Sequence, residues 1–134
     1  MPKLYFYDTG LTAHLLGFQS IEQCSCYYRF GALFENLVIL EILKARLKKG
    51  LLSALSFWKD YGGVEVDLIG EWNGIIHAIE IKSGAACNPS FLKNIEIFKK
   101  LTEGTHGYVV YTGSRGTYQK KYTGASCRCR HVFY

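Results

Sequence analysis

The chain has 134 residues, enough for one domain whose core needs neither disulfides nor a metal staple. Apolar types make up 49% and charged types 20%, with two prolines, which excludes a disordered or fibrous chain. The net charge of +5 is unevenly placed: eleven basic and eleven acidic side chains cancel over residues 1–112, and the excess is Arg115, Lys120, Lys121, Arg128 and Arg130.

Residues 3–8 read as extended and aromatic, with Thr9-Gly10 as punctuation. Leu11 to Leu16 predicts a short helix closed by Gly17, and residues 19–29 read as irregular. A long helix is expected from Ala32 to Lys49, with Leu33, Leu37, Leu40 and Leu47 near helical spacing and Gly50 as the stop. Lys44, Arg46, Lys48 and Lys49 suit the negative end of its dipole. Three strands follow, Leu55–Asp60, Val64–Glu71 and Ile75–Lys82. Asn73-Gly74 between the last two is the strongest short-range hairpin signal. Asn88 caps a second helix with Pro89 at its first position, Phe91, Ile95 and Phe98 as its core face and Gly104 as its end. His106–Thr112 is a further strand, and Val132–Tyr134 reads as another. The order helix, three strands, helix, strand predicts an α/β domain, a mixed sheet flanked by helices, filling residues 1–134 with a basic tail over 113–134.

The hairpin permits register arithmetic. A two-residue loop sets Trp72 opposite Ile75, which carries Asp67 opposite Glu80 and Glu65 opposite Lys82. Alternation then puts these four side chains on one face and Val66, Leu68, Ile79 and Ile81 on the other, the core face. Opposed carboxylates repel across a strand pair. A divalent cation between Asp67 and Glu80 is the natural compensation, and a solvated strand face is the plain alternative. Ile69 and Ala78 flank the acids and argue against an open face. Glu35 shares a helical face with Val38, Ile39 and Ile42, where a carboxylate is costly unless paired or metal-bound. It is expected to point toward the Asp67–Glu80 pair, or else to serve the helix start.

Asp67 followed by Glu80-Ile81-Lys82, with Glu35 on an upstream helix, resembles the PD-(D/E)XK nuclease superfamily, the restriction-endonuclease-like fold. The stretches Pro2-Lys3-Leu4-Tyr5-Phe6-Tyr7-Asp8-Thr9-Gly10-Leu11, Gly31-Ala32-Leu33-Phe34-Glu35-Asn36, Phe57-Trp58-Lys59-Asp60, Glu65-Val66-Asp67 and Ile79-Glu80-Ile81-Lys82-Ser83-Gly84 resemble one branch of it. That branch is the nuclease-like C-terminal domain of unknown function found behind archaeal-type AAA ATPase modules. Val66 stands where the superfamily's name has proline, and no Gly-x-x-x-x-Gly-Lys-Ser/Thr loop is present, so the ATPase module of the longer chain would lie outside these residues.

The resemblance implies a Mg²⁺ (or Mn²⁺) nuclease acting on nucleic acid, DNA in the first instance. Asp67, Glu80, the Ile81 carbonyl and Glu35 would hold the ion, Lys82 would act at the phosphate, and Glu65 would hold Lys82 in place. The alternative is a catalytically inactive module of the same fold, used for nucleic-acid binding or docking. The basic tail with Tyr118 and Tyr122 reads either as a phosphate-backbone contact or as a solvated segment.

Cys24-x-Cys26 and Cys127-x-Cys129 are spaced more tightly than zinc ligands usually are. His77 is expected on the face opposite Asp67. The five cysteines are odd in number, nothing in the first residues has the form of a secretory leader, and Glu41 and Lys44 break the longest apolar run. A reduced, cytoplasmic setting without membrane contact is expected.

Overall fold

The structure, a computed structural model, describes residues 2–52, 54–84 and 88–113, and the backbone alone of 121–122, 125–126 and 128–130. The chain divides into two compact units, Met1–Leu51 and Leu52–Tyr134. The expected strand at Val132–Tyr134 and the side chains of the basic tail lie outside the described residues.

The N-terminal unit holds α1 (Thr9–Leu15), α2 (Ile21–Ser25) and α3 (Phe30–Lys48). Asp8 caps α1, its Oδ1 accepting the Leu11 N–H at 2.8 Å. A short helix, α2, replaces the expected irregular stretch because Ser20 supplies a cap, its hydroxyl accepting the Gln23 N–H at 3.4 Å. Gln23 in turn accepts the Gln19 N–H at 2.9 Å. On α3, Val38, Ile39 and Leu40 are consecutive buried residues, so this helix is buried around more than one face. Leu47, which shares the helical spacing of Leu33 and Leu40, is exposed, and Arg46 is buried one position earlier.

Asn36 clamps the extended N-terminal segment to α3. Its Oδ1 accepts the Phe6 N–H at 2.8 Å, and its Nδ2 donates to the Phe6 carbonyl at 3.0 Å and to Thr9 Oγ1 at 2.9 Å. An extended segment outside a sheet has no ladder for its polar groups, and the asparagine amide supplies both a donor and an acceptor. The clamp borders a cavity of about 740 Å³.

The C-terminal unit opens with β1 (Leu55–Lys59), β2 (Glu65–Trp72) and β3 (Ile75–Lys82), paired antiparallel. A 3-10 turn over Pro89–Leu92 leads into α4 (Lys93–Leu101), and β4 (His106–Tyr111) returns parallel to β3. Asn88 caps as expected, accepting the Ser90 N–H at 2.9 Å. The helix proper begins later than expected, at Lys93, because the turn comes first. Then come β5 (Lys121–Tyr122), β6 (Ala125–Ser126) and β7 (Arg128–Arg130). The main sheet runs β1-β2-β3-β4-β7, with β7 parallel to β4; β5 and β6 pair separately. The α/β class with a mixed sheet and flanking helices is therefore as expected.

The hairpin has the expected register, from Trp72↔Ile75 to Leu68↔Ile79. Asn73 (φ 53°) and Gly74 (φ 75°) both have positive φ, the mark of a type I′ turn whose twist matches the strands. The core lies between the sheet and α4, where Val66, Ala78, Ile95, Phe98 and Val109 are buried together. Fully burying a side chain such as Ile95 contributes about 1.5–3 kcal/mol. The helix sits close because β4 offers no side chain beneath it: a Cβ at Gly107 would come 2.5 Å from Ile95 Cγ2.

One expectation about the faces fails. Val66 belongs to the same cluster as Ala78, with Ile69 packed against it, not to the opposite face. Between the pairs Ser56↔Ile69 and Trp58↔Val66, β2 carries one residue more than β1. The extra residue is a bulge at Asp67–Leu68, and a bulge reverses the alternation on its far side.

Candidate metal and phosphate site

The bulge shapes the site. In regular register Ile81 would pair with the backbone of Val66. Its N–H instead donates to Asp67 Oδ2 at 2.8 Å, so a side chain takes the place of a backbone acceptor. The paired ladder between β2 and β3 ends at Leu68↔Ile79, and the carboxylate stands in the fork beyond it. Asp67 is 8% exposed and Glu80 2%.

Lys82, two residues along β3, reaches both acids. Its Nζ lies 2.7 Å from Glu80 Oε1 and 3.5 Å from Asp67 Oδ2. The expected convergence of Asp67, Glu80 and Lys82 is thus present. Burial pushes the Glu80 carboxyl above its ordinary range; the hydrogen bond from Lys82 opposes this, and the charge of Asp67 adds to it. Burial alone would lower the Lys82 ammonium, but the Glu80 hydrogen bond and the two carboxylate charges outweigh it and hold the group above its ordinary value. The second Glu80 oxygen, Oε2, is buried and has no hydrogen-bond partner. A buried carboxylate oxygen left unpaired is costly, and such orphans mark sites that an ion or water completes.

Asn94, in the first turn of α4, is a site residue that pattern reading missed. Its Nδ2 donates to the Glu65 carbonyl at 2.9 Å and lies 3.5 Å from Glu80 Oε1. It ties the helix start to the bulged strand beside the acids. The only available signal was a polar residue directly before Ile95, and that position reads equally well as solvent-facing.

The other expected site residues fall as follows. Ile81 is 5% exposed, and its amide is committed to Asp67. Glu65, expected to hold Lys82, is ion-paired with Lys59 at 2.9 Å, because the shifted register sets Lys59 directly across from it. Glu35 belongs to the N-terminal unit, where its Oε1 accepts from Tyr5 Oη at 2.7 Å and from Lys3 Nζ at 3.0 Å. Among the described residues, no group of three or more His, Cys, Asp or Glu is placed to hold a metal ion. Cys24 is half-buried and Cys26 exposed, both as free thiols, while Cys127 and Cys129 have side chains outside the described residues.

His77 lies away from the acids, as its register position predicts. Its ring packs edge-on against Trp72 and His106 and stacks on Tyr108, whose hydroxyl is 3.2 Å from Nδ1. Burial and the neighbouring His106 lower its pKa.

Among the described residues, no helix is long and apolar enough to cross a membrane. No curated protein and no solved structure matches the chain. A family model does match, over residues 30–128, a span that holds the bulged strand, both acids, Lys82 and Asn94. The chain therefore belongs to the family described as a domain of unknown function (DUF4143).

Proposed function

We propose that the C-terminal unit is a metal-dependent phosphodiesterase of the PD-(D/E)XK kind, acting on DNA. One observation carries the proposal: Glu80, 2% exposed, has an unpartnered Oε2 beside a second acid and a lysine in a strand fork. A surface ion pair needs none of this burial. The donors suit Mg²⁺ or Mn²⁺. Magnesium prefers oxygen ligands and keeps several waters, so two carboxylates, with the Ile81 carbonyl beside them, are enough.

Within this reading Asp67 and Glu80 hold the cation, which when bound supplies Lewis-acid stabilisation to the scissile phosphate. Asp67 is pre-positioned by the Ile81 N–H and needs no reorganisation on binding. Asn94 steadies the strand beside Glu80 from the helix side. Lys82 offers its ammonium to a phosphate oxygen. Glu35 enters this reading only as the resemblance implies; its described partners are Lys3 and Tyr5. Attachment to an ATPase module of a longer chain rests on the motif resemblance as well.

The test is incubation with supercoiled plasmid and with single-stranded DNA in millimolar Mg²⁺ or Mn²⁺. Cleavage that disappears in Asp67→Asn and Glu80→Gln is the expected result. Metal binding without cleavage would leave a binding or docking module of the same fold. Cleavage that survives both substitutions would place the chemistry elsewhere.

A further inference from the structure

Lys82 stands where its two acids converge. We propose that Lys82 is the resident counter-cation of the Asp67–Glu80 pair, which a divalent ion must displace, so that the lysine sets the metal affinity of the site and turns to the phosphate only after the ion has entered. This inference rests on the nuclease reading above and adds a regulation of that same site.

The geometry supports it in three ways. The ammonium bridges the acids, 2.7 Å from Glu80 Oε1 and 3.5 Å from Asp67 Oδ2. An ion held by the same two carboxylates would lie within a few ångströms of Nζ, and like charges at that range repel strongly where water is scarce. The acids are fixed and the lysine is not. Asp67 is anchored by the Ile81 amide and Glu80 is 2% exposed, whereas the Lys82 side chain is 36% exposed on a flexible stem. The member of the trio able to leave is therefore the cation. The unpartnered Glu80 Oε2 gives an incoming ion a first oxygen that the lysine does not occupy.

Two measurements on the full chain test this. Mn²⁺ is titrated into the wild type, Lys82→Met and Glu80→Gln, with free Mn²⁺ read by electron paramagnetic resonance. Removing a unit charge beside the ion should tighten binding in Lys82→Met by about tenfold or more, while Glu80→Gln should bind weakly or not at all. In the second measurement the wild type is acylated with an amine-specific reagent, and Lys82 labelling is read by mass spectrometry. Saturating Mn²⁺ should raise Lys82 labelling, because the ammonium has been released. This measurement needs no substituted protein, so it stands even if Lys82→Met fails to fold. Wild-type binding with equal or weaker affinity in Lys82→Met, or Lys82 labelling unchanged or lowered by Mn²⁺, would overturn the counter-cation role and leave the nuclease reading intact. No Mn²⁺ binding in any variant would overturn both.

Discussion

The two units treat their buried polar groups differently. Among the described residues of the N-terminal unit, no buried side-chain nitrogen or oxygen lacks a hydrogen-bond partner. Asn36 makes three hydrogen bonds, and Glu35 takes a lysine and a tyrosine. Outside α3, whose Leu33, Phe34, Val38, Ile39 and Leu40 are buried, the unit's apolar side chains stay outside: α1 and α2 bury no residue, and Leu4, Leu15 and Ile21 are largely exposed. In the C-terminal unit the apolar side chains close on one another, and Glu80 keeps an oxygen with no partner. Two glutamates that look alike as intruders on apolar surroundings therefore differ in kind. Glu35 Oε1 takes both its partners from its own unit, whereas Glu80 Oε2 is buried without a hydrogen-bond partner.

The strongest challenge to this contrast is Asn36→Leu. It strands the Phe6 N–H and carbonyl, and the expected loss is about 2–4 kcal/mol of unfolding free energy in urea. A loss under about 0.5 kcal/mol would mean that the clamp holds nothing.

The second prediction sets the two glutamates side by side. Mn²⁺ at a hundredfold excess over its dissociation constant should stabilise the wild type by about 2.7 kcal/mol. Glu80→Gln should lose that gain. Glu35→Gln should keep it while losing about 0.5–1 kcal/mol from its hydrogen bonds. If thermal melts show Glu35→Gln losing the metal response too, Glu35 returns to the ligand set and the contrast collapses.

A third substitution probes the close packing of the C-terminal core. Gly107→Ala brings a Cβ to 2.5 Å from Ile95 Cγ2, with an expected cost of about 1–3 kcal/mol. Ile95→Ala removes the obstructing atom, so the double variant should lose less than the two single losses added together. Strict additivity in denaturant melts would mean that α4 shifts to accommodate the new atom.

The smallest expected effect is a pH dependence. The His77 pKa is lowered in the fold from 6.5, so below that value the unfolded chain binds more protons than the native one. Stability should fall as the pH drops through 6.5 and on through the lowered value. His77→Gln should flatten that part of the curve, and an unchanged slope would assign it to other groups.

Much of this architecture is legible in the sequence, for identifiable reasons. Asn73-Gly74 forces a tight turn, and the turn fixes which residues face each other up to Leu68. Asn88-Pro89 marks a helix entry wherever it stands between strands. Beyond Leu68 the pattern misleads. A bulge inserts one residue without changing the run of types, so Glu65-Val66-Asp67-Leu68 reads as plain alternation, the side of Val66 comes out wrong, and the ion pair of Glu65 with Lys59 goes unseen. The partners of Glu35 were illegible because they sit about thirty residues away on a segment without periodicity. Asn94 was illegible because one amide at a helix start looks the same whether it meets water or a strand carbonyl.

The hydrogen bond from the Ile81 amide to Asp67 gives the fork a built-in reporter. The proton it shares belongs to the main chain, yet its acceptor is a carboxylate oxygen of the proposed ion site. Its resonance in a proton–nitrogen correlation spectrum will follow the electron density on that oxygen. Protonation of the acid, departure of Lys82 and arrival of a diamagnetic cation such as Mg²⁺ would each displace the Ile81 peak, while amides in the ordinary hairpin ladder stay in place. The occupancy of the site can thus be followed on the native chain at a single backbone nitrogen, with no probe attached.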